Sequence, residues 1–194
     1  MAFKGHPNLG KITSDEKGTL VTTCAIVCAS GQAIPPVLVF PRKYYKDFML
    51  TGAAPGFFGL ANPSGWMNTE LFFQVIQHFI KHTCASSENP ALLIMDNHET
   101  NLSVHTLNVA KKSGVCVLTL HPHTTAKMQS FDVGLNGPFK TYYNSSVDSL
   151  LRRNPDKQII IYNVAKCMGQ AHLKAMTPSK NVEFFHTTRM FLKK

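Results

Sequence analysis

The chain has 194 residues, of which 44% are hydrophobic and 16% charged, a composition typical of one globular domain that excludes a disordered chain. Its net charge of +9 favours a polyanionic partner, although a merely solvated basic surface is the alternative. No segment has the roughly 20 apolar residues of a spanning helix, so a membrane partner is disfavoured. The N-terminus contains no apolar signal segment, and five scattered cysteines indicate reduced thiols in an intracellular protein.

The first 68 residues predict a loop, a β-hairpin and a second, longer loop. Residues 1–18 are polar, whereas residues 19–29 and 34–40 are strand-forming and are separated by a Ser-Gly turn. The Pro35-Pro36 pair requires an edge position or a bulge in the second strand. Residues 41–68 are rich in Gly and Pro and are interpreted as an irregular loop.

The middle of the chain predicts a helix followed by a βαβ unit. Apolar residues recur every 3.6 positions after Asn68, which indicates a helix of about 14 residues with one broad buried face. Residues 91–96 and 115–120 are apolar runs that predict buried strands, and residues 102–113 predict the helix between them. Because a helix connects these strands, they should be parallel.

The last third of the chain predicts mainly helices. One helix should run from the Asp132 segment towards Tyr143, kinked or interrupted at Gly137-Pro138. Residues 147–153 and 163–176 predict two more helices. Residues 177–194 have no clear pattern and are interpreted as irregular, which completes a single domain spanning residues 1–194.

Two carboxylates stand where a metal site could form. Asp96 closes an apolar strand, and α/β sheets bind ligands at the carboxyl ends of their strands. Asp132 falls at the margin of the apolar face of its predicted helix, where a carboxylate needs an ionic partner, a bound cation or a role in capping the helix. If the two converge, they could hold Mg²⁺ or Mn²⁺. The nearby His98, His121 and His123 match no common zinc spacing, which favours phosphate or loop hydrogen bonding.

Several sequence blocks follow one another in a fixed order along nearly the whole chain. They are Gly18-Thr19-Leu20-Val21-Thr22, Ile34-Pro35-Pro36, Phe40-Pro41-Arg42-Lys43, Asn62-Pro63-Ser64-Gly65-Trp66-Met67, Leu93-Ile94-Met95-Asp96-Asn97-His98, His121-Pro122-His123-Thr124-Thr125, Gln129 to Asp132-Val133, and Gly137-Pro138-Phe139-Lys140. In this order they resemble the DDE superfamily endonuclease domain of pogo/Tigger-type and jerky-like transposases and of proteins derived from them.

The resemblance implies an RNase H-like mixed sheet flanked by helices, nuclear localisation and DNA as the partner. It also implies two divalent metal ions, Mg²⁺ or Mn²⁺, that three acidic residues hold across the attacking and leaving oxygens. Asp96 corresponds to the second acid and Asp132 to the third. The same blocks imply residues that contact nucleic acid or support the site: Asn97, His98, His123, Thr124, Lys127, Gln129 and Lys140.

The first acid of the family has no clear counterpart. It belongs to an Asp-Glu-Thr-Gly-like block on a strand well before Gly18, and only residues 1–17 precede that glycine here. Asp15-Glu16-Lys17-Gly18 imitates the block but lies too close to the next strand. The expected α/β fold therefore lacks its first, central strand, and we expect a fragment or incomplete gene product that folds poorly alone because its strand edges are open.

Three functions remain open. The leading one is a transposase-derived DNA-binding domain with an incomplete metal site, inactive as an enzyme. The second is an active metal-dependent endonuclease or strand transferase whose first aspartate lies upstream of Met1. The third is a non-catalytic relic or a scaffold for protein contacts. No DNA-reading module is visible, so binding should follow the DNA backbone and be weakly sequence-specific.

Overall fold

A computed structural model describes residues 21–96, 103–120, 136–154 and 159–188, with the backbone alone for Asp96 and Asn136. Over these ranges the fold is α/β, which confirms the predicted class, while the finer RNase H-like topology stays a prediction. The strands are β1 (Thr22–Val27), β2 (Ala33–Phe40), β3 (Phe58–Ala61), β4 (Ala91–Asp96) and β5 (Val115–Leu120). The helices are α1 (Thr69–Thr83), α2 (Val104–Lys112), α3 (Asn136–Arg153), α4 (Ile161–Ala175) and α5 (Pro178–Thr187), with a 3₁₀ helix at Asp47–Leu50.

The predicted hairpin is confirmed, and its prolines lie at an irregularity in the ladder. Strands β1 and β2 pair antiparallel, with Cys24 opposite Val37 and Ile26 opposite Ile34. Two steps along β1 therefore match three steps along β2, so the extra residue falls on the Pro35-Pro36 side. A proline cannot donate a ladder hydrogen bond, and a bulge removes the need for one.

The segment 41–68 is more ordered than predicted. Besides the 3₁₀ helix it contains β3, which pairs parallel to β2 and makes β2 the middle strand of a three-stranded sheet. The prediction of an irregular loop was wrong at this point because four residues are too few to give a clear strand pattern. Trp66 is 46% exposed, whereas its neighbour Met67 is buried and attaches the segment to the core.

Strands β4 and β5 form the predicted parallel pair, in register from Ala91 opposite Val115 to Asp96 opposite Leu120. Contrary to the prediction of buried strands, β4 and β5 are partly exposed. Leu92 is 53% exposed, because helices α1 and α2 pack against one face of the pair, where the strands' buried residues lie. Within the described residues the two sheets do not pair with each other, and the missing central strand stays a prediction.

Local signals set the ends of the first two helices. The Asn68 side-chain oxygen accepts a hydrogen bond from the Leu71 amide at 2.9 Å and so caps α1, whose buried face is the predicted one. Gly114 ends α2 with φ +73°, and a Cβ at this position would collide with the Ser86 carbonyl. Glycine is thus required here by both conformation and space.

The C-terminal third differs from prediction in two respects. Helix α3 is continuous from Asn136 to Arg153, without the predicted interruption at Gly137-Pro138 and without a separate helix over residues 147–153, while the predicted start at the Asp132 segment lies outside the described residues. Pro138 is tolerated because it lies in the first turn, where no amide hydrogen is needed for a helical hydrogen bond. The segment predicted to be irregular contains α5. This helix packs onto the β1–β2 turn, where the buried Asn181 amide donates to the Gly31 carbonyl at 2.8 Å.

The core lies on both sides of the three-stranded sheet. Leu38 and Phe40 on β2 face the helices α3 to α5. The alternate residues Val37 and Val39 face α1 and the β4–β5 pair. This alternation follows from the two-residue period of a strand, and all four side chains are fully buried. Strand β2 is therefore the element that joins the two halves of the core.

Candidate metal and nucleic-acid site

The candidate site begins at the carboxyl ends of β4 and β5. Asp96 and Leu120 are paired at the end of the parallel ladder, so the backbones of these two residues lie about 5 Å apart. Asn97-His98 follows directly on one strand and His121 on the other. One block that carries the resemblance therefore runs along β4 to this edge of the sheet, and another follows β5 directly in the sequence.

Most of the predicted site residues lie outside the described part of the chain. These are Asn97, His98, His123, Thr124, Lys127, Gln129 and Asp132. Asp96 is placed by its backbone only. The convergence of the Asp96 and Asp132 carboxylates therefore stays a prediction.

Lys140 is the one predicted site residue with a described side chain. It lies near the start of α3, is partly buried, and follows Phe139, which packs into the core against β2. The core contact of Phe139 fixes the rotation of α3 about its axis and therefore the direction in which Lys140 leaves the helix. Lys140 is thus held by a rigid element rather than a loop.

The described residues do not complete a divalent-metal site. Among them, no group of three or more His, Cys, Asp or Glu side chains is arranged to hold a metal ion. Mg²⁺ and Mn²⁺ prefer several oxygen ligands, and a single strand end supplies one carboxylate. Any such ion therefore depends on Asp132 or on other groups beyond the described ranges.

Several polar groups lie in the contact between α3 and α4. The Ser146 hydroxyl donates to the Gln170 side-chain oxygen, and burial raises the pKa of the neighbouring Cys167 thiol. Burial likewise raises the pKa of Tyr143, whose hydroxyl has no hydrogen-bond partner among the described residues. A thiol held neutral is a poor nucleophile, so this cluster has the character of packing.

The histidines on α1 also have a structural role. His78 Nε2 lies 2.8 Å from the Pro35 carbonyl oxygen and must donate to it, while its ring stacks on Phe58 at a centroid distance of 5.3 Å. Burial lowers the pKa of His78, which favours this neutral, donating form. The His82 ring packs against the His78 ring, with the two ring centroids 4.4 Å apart. His78 therefore ties α1 to the bulge in β2.

A surface that sequence reasoning did not predict lies beside the 3₁₀ helix. We name it the aromatic–basic patch and define it by six residues: Arg42, Lys43, Tyr44, Phe48, Tyr162 and Lys166. It was missed because residues 41–68 were interpreted as a loop. The signal was present in the run Arg-Lys-Tyr-Tyr-Lys at 42–46, where two aromatic rings lie between cations.

The comparison with protein families identifies the class. A profile of the DDE superfamily endonuclease family matches residues 17–185, which is most of the chain. The chain therefore belongs to the DDE superfamily endonuclease family, as its sequence blocks indicated.

A curated relative adds a more distant likeness. The MFS-type transporter clz9 of Cochliobolus lunatus is 27% identical over 150 residues, which cover 76% of this chain and 16% of that protein. The chain thus spans a small part of the relative's length. Across the ranges that the structure describes, no helix is both long and apolar enough to cross a bilayer. No solved structure matches the chain.

Proposed function

We propose that this chain is a transposase-derived DNA-binding domain of the DDE endonuclease type with an incomplete metal site. The observation that carries the proposal is the family match over residues 17–185. The family implies a nucleic-acid partner in general, and the net charge of +9 favours the same partner. We propose DNA rather than RNA because the sequence blocks resemble those of transposases, which act on DNA. We also propose that the protein is located in the nucleus.

The metal part of the proposal concerns Asp96 and Asp132. Nucleases of this family generally use divalent metals, and Asp96 ends β4 beside the end of β5, at the kind of rim where α/β sheets bind ligands. We propose that the two carboxylates are the remaining acids of the site and would hold Mg²⁺ or Mn²⁺. When bound, such an ion stabilises negative charge on phosphate oxygens. We propose no cleavage by these two acids alone.

The proposed binding mode is electrostatic. Lys127 and Lys140 would neutralise phosphates, while Asn97, His98 and His123, with Thr124 and Gln129, would donate hydrogen bonds to the backbone near the metal. Contacts of this kind position the protein without reading bases, so sequence preference should be weak. Each neutralised phosphate releases counterions, so the logarithm of the affinity falls with the logarithm of the salt concentration, with a slope of about −0.9 per phosphate.

A salt titration tests the binding proposal. The affinity of the chain for a fluorescein-labelled duplex would be measured by fluorescence anisotropy across salt concentrations and on two unrelated sequences. We expect a steep loss of affinity with salt and similar affinities for both sequences. Lys140→Ala should reduce the slope by about 0.9, whereas Leu173→Ala, an uncharged surface change, should leave it unaltered. The absence of salt-dependent binding would overturn the proposal.

A nicking assay separates the active-enzyme alternative from the proposal. The position of Asp96 at a strand end is the observation that favours this alternative. The chain would be incubated with supercoiled plasmid and Mg²⁺ or Mn²⁺, beside Asp96→Asn and the charge-matched Asp148→Asn on the exposed side of α3. We expect no nicking. Metal-dependent nicking that Asp96→Asn abolishes and Asp148→Asn does not would replace the proposal with an active endonuclease. The absence of both DNA binding and nicking would favour a scaffold.

A further inference from the structure

We propose that the aromatic–basic patch binds an unpaired strand of DNA, with bases stacked on Tyr44 and Phe48 and phosphates held by the surrounding cations. The inference rests on the proposed function, DNA binding, and adds the form of DNA and the residues that would select it. It concerns residues other than those that the sequence blocks assign to the metal site.

Two aromatic side chains of the patch are largely exposed to solvent. Tyr44 is 67% exposed and Phe48 is 50% exposed. Exposed apolar surface that is contiguous marks interaction sites, and the Phe48 ring is in contact with a further ring, that of Tyr162. Both belong to the short stretch of chain that follows β2, and Phe48 lies in the 3₁₀ helix.

The patch is held in place by buried and aromatic contacts. Met49, in the same 3₁₀ helix as Phe48, is 2% exposed and belongs to the core. The Phe48 ring meets Tyr162 edge to face, with centroids 5.1 Å apart and an interplanar angle of 67°. Because Tyr162 lies in the first turn of α4, whose inner face is buried in the core, the Phe48 ring is anchored on one side. A stacking platform that is ordered before binding loses little conformational entropy.

Two cations contact aromatic rings of the patch, and a third lies beside Gly52. The Arg42 guanidinium carbon lies 5.8 Å from the Tyr162 ring centre, and the Lys43 ammonium lies 5.3 Å from the Tyr44 ring centre. The Lys166 stem packs at 3.3 Å from the position that a Cβ on Gly52 would take. Gly52 has φ +78°, so this close approach depends on glycine.

The charge of the surface matches a polyanion. Arg42, Lys43 and Lys166 belong to the patch, and Lys46 lies exposed within the same stretch of chain. Asp47 is the single acidic residue in that stretch and is also exposed. The local net charge is therefore positive and complements the negative phosphates of a nucleic acid.

The aromatic faces favour an unpaired strand over a duplex. In a duplex the base faces are stacked inside the helix, and a protein reaches only the phosphates, sugars and base edges. Lysine and arginine suffice for those contacts, so exposed rings would contribute nothing. In a single strand every base offers a face, and interleaved aromatic and basic side chains are the usual means of binding it. The composition of the patch therefore selects the unpaired strand.

The test compares one oligothymidine of about 16 nucleotides, a size within the range of single-strand sites, with a duplex of equal length. Fluorescence anisotropy of the labelled DNA would be measured with the 194-residue chain and with Tyr44→Ala, Phe48→Ala and Tyr44→Phe. We expect each alanine variant to bind the single strand about tenfold more weakly, with duplex affinity changed by less than about twofold. Tyr44→Phe keeps the ring and should retain the wild-type affinity.

Matched controls separate the patch from the general surface. Leu173 is as exposed as Tyr44, at 67%, and Leu173→Ala should leave single-strand binding unchanged. Lys43→Ala should weaken single-strand binding more than Lys112→Ala, although each removes one charge from an exposed lysine. Asp47→Asn should strengthen it by removing repulsion. Circular dichroism spectra of all variants would show that each is folded.

The outcomes distinguish this proposal from the one on which it rests. If the chain binds duplex and single strand but Tyr44→Ala and Phe48→Ala bind both as the wild type does, DNA binding stands and the patch is not its site. Equal losses on both forms would also overturn the single-strand assignment, as would tighter binding of an RNA of the same length. If the wild type binds no DNA at all, both proposals fail together.

Discussion

His172 should make the stability of the fold depend on pH. It lies in α4, its Nε2 atom is buried without a hydrogen-bond partner among the described residues, and the Phe57 ring packs edge-on against it at 5.6 Å. Burial disfavours the charged imidazolium and lowers the pKa of His172 from 6.5 to about 4. A protonated His172 is therefore tolerated in the unfolded chain but not in the core.

The sign and size of the effect follow from linkage. As the pH falls through 6.5, the unfolded chain takes up a proton at His172 that the folded chain takes up only near pH 4, so the free energy of unfolding decreases over this window. Between about pH 7 and pH 5 the two pKa values give a loss of about 2 kcal/mol. Above the pKa of the unfolded chain this stabilising contribution is complete.

The effect can be isolated by urea denaturation at about pH 7 and pH 5, followed by far-UV circular dichroism. His172→Phe, which keeps a ring against Phe57, should remove about 2 kcal/mol of the pH-dependent loss. His105→Phe, at an exposed position on α2, serves as the control because it also removes one histidine. An identical pH dependence in the wild type and in His172→Phe would refute the claim that this ring is held neutral by burial.

Two further changes test how the elements are joined. Asn181→Ala should lower the free energy of unfolding by about 1–3 kcal/mol in urea, because it leaves the Gly31 carbonyl in the buried contact with α5 without its donor. Gly59→Ala should cost about 1–3 kcal/mol, because its Cβ would overlap the Tyr45 ring, and the loss should shrink when Tyr45→Ala is added. Gly137→Ala is the control, since a Cβ there meets nothing within 4 Å; equal effects of the two glycine changes would contradict this account.

Elements with a strong local signal were predictable from the sequence. The α1 helix has a capping Asn68 and a long apolar period, so both its start and its buried face could be read directly. The βαβ unit was predictable because a helix between two apolar runs constrains them to be parallel. The bulge beside Pro35-Pro36 followed from the missing amide hydrogen of proline. Each of these depends on residues close together in the chain.

Features that depend on distant contacts were not predictable in the same way. Strand β3 is four residues long and exists because β2 offers it a partner edge, which no local pattern reports. Leu92 was expected to be buried, but an apolar run shows only that a strand can be covered on both faces. Helix α5 is held by Asn181 against the β1–β2 turn, a contact between opposite ends of the chain.

The candidate site shows the same division. An apolar strand that closes on Asp96 predicted a carboxylate at the end of β4, and its pairing with β5 confirms that position for the backbone. The aromatic–basic patch joins residues of the 41–52 stretch to Tyr162 and Lys166, which lie far along the chain on α4. Half of the patch could be read as a run of cations and aromatic rings, whereas the other half required the packing of α4.

The central claim is that the carboxylates of Asp96 and Asp132 bind the same metal ion, and a Mn²⁺ binding measurement tests it most directly. It would compare the wild type with Asp96→Asn, Asp132→Asn and the double variant, with Asp148→Asn as the charge-matched control. The paramagnetic enhancement of water proton relaxation reports weak Mn²⁺ binding. If the side-chain oxygens of Asp96 and Asp132 coordinate one ion, each single variant should lose Mn²⁺ binding and the double variant should show no additional loss. The control should bind Mn²⁺ with the wild-type affinity. Unchanged Mn²⁺ affinity in either single variant, or no Mn²⁺ bound by the wild type, would contradict the account.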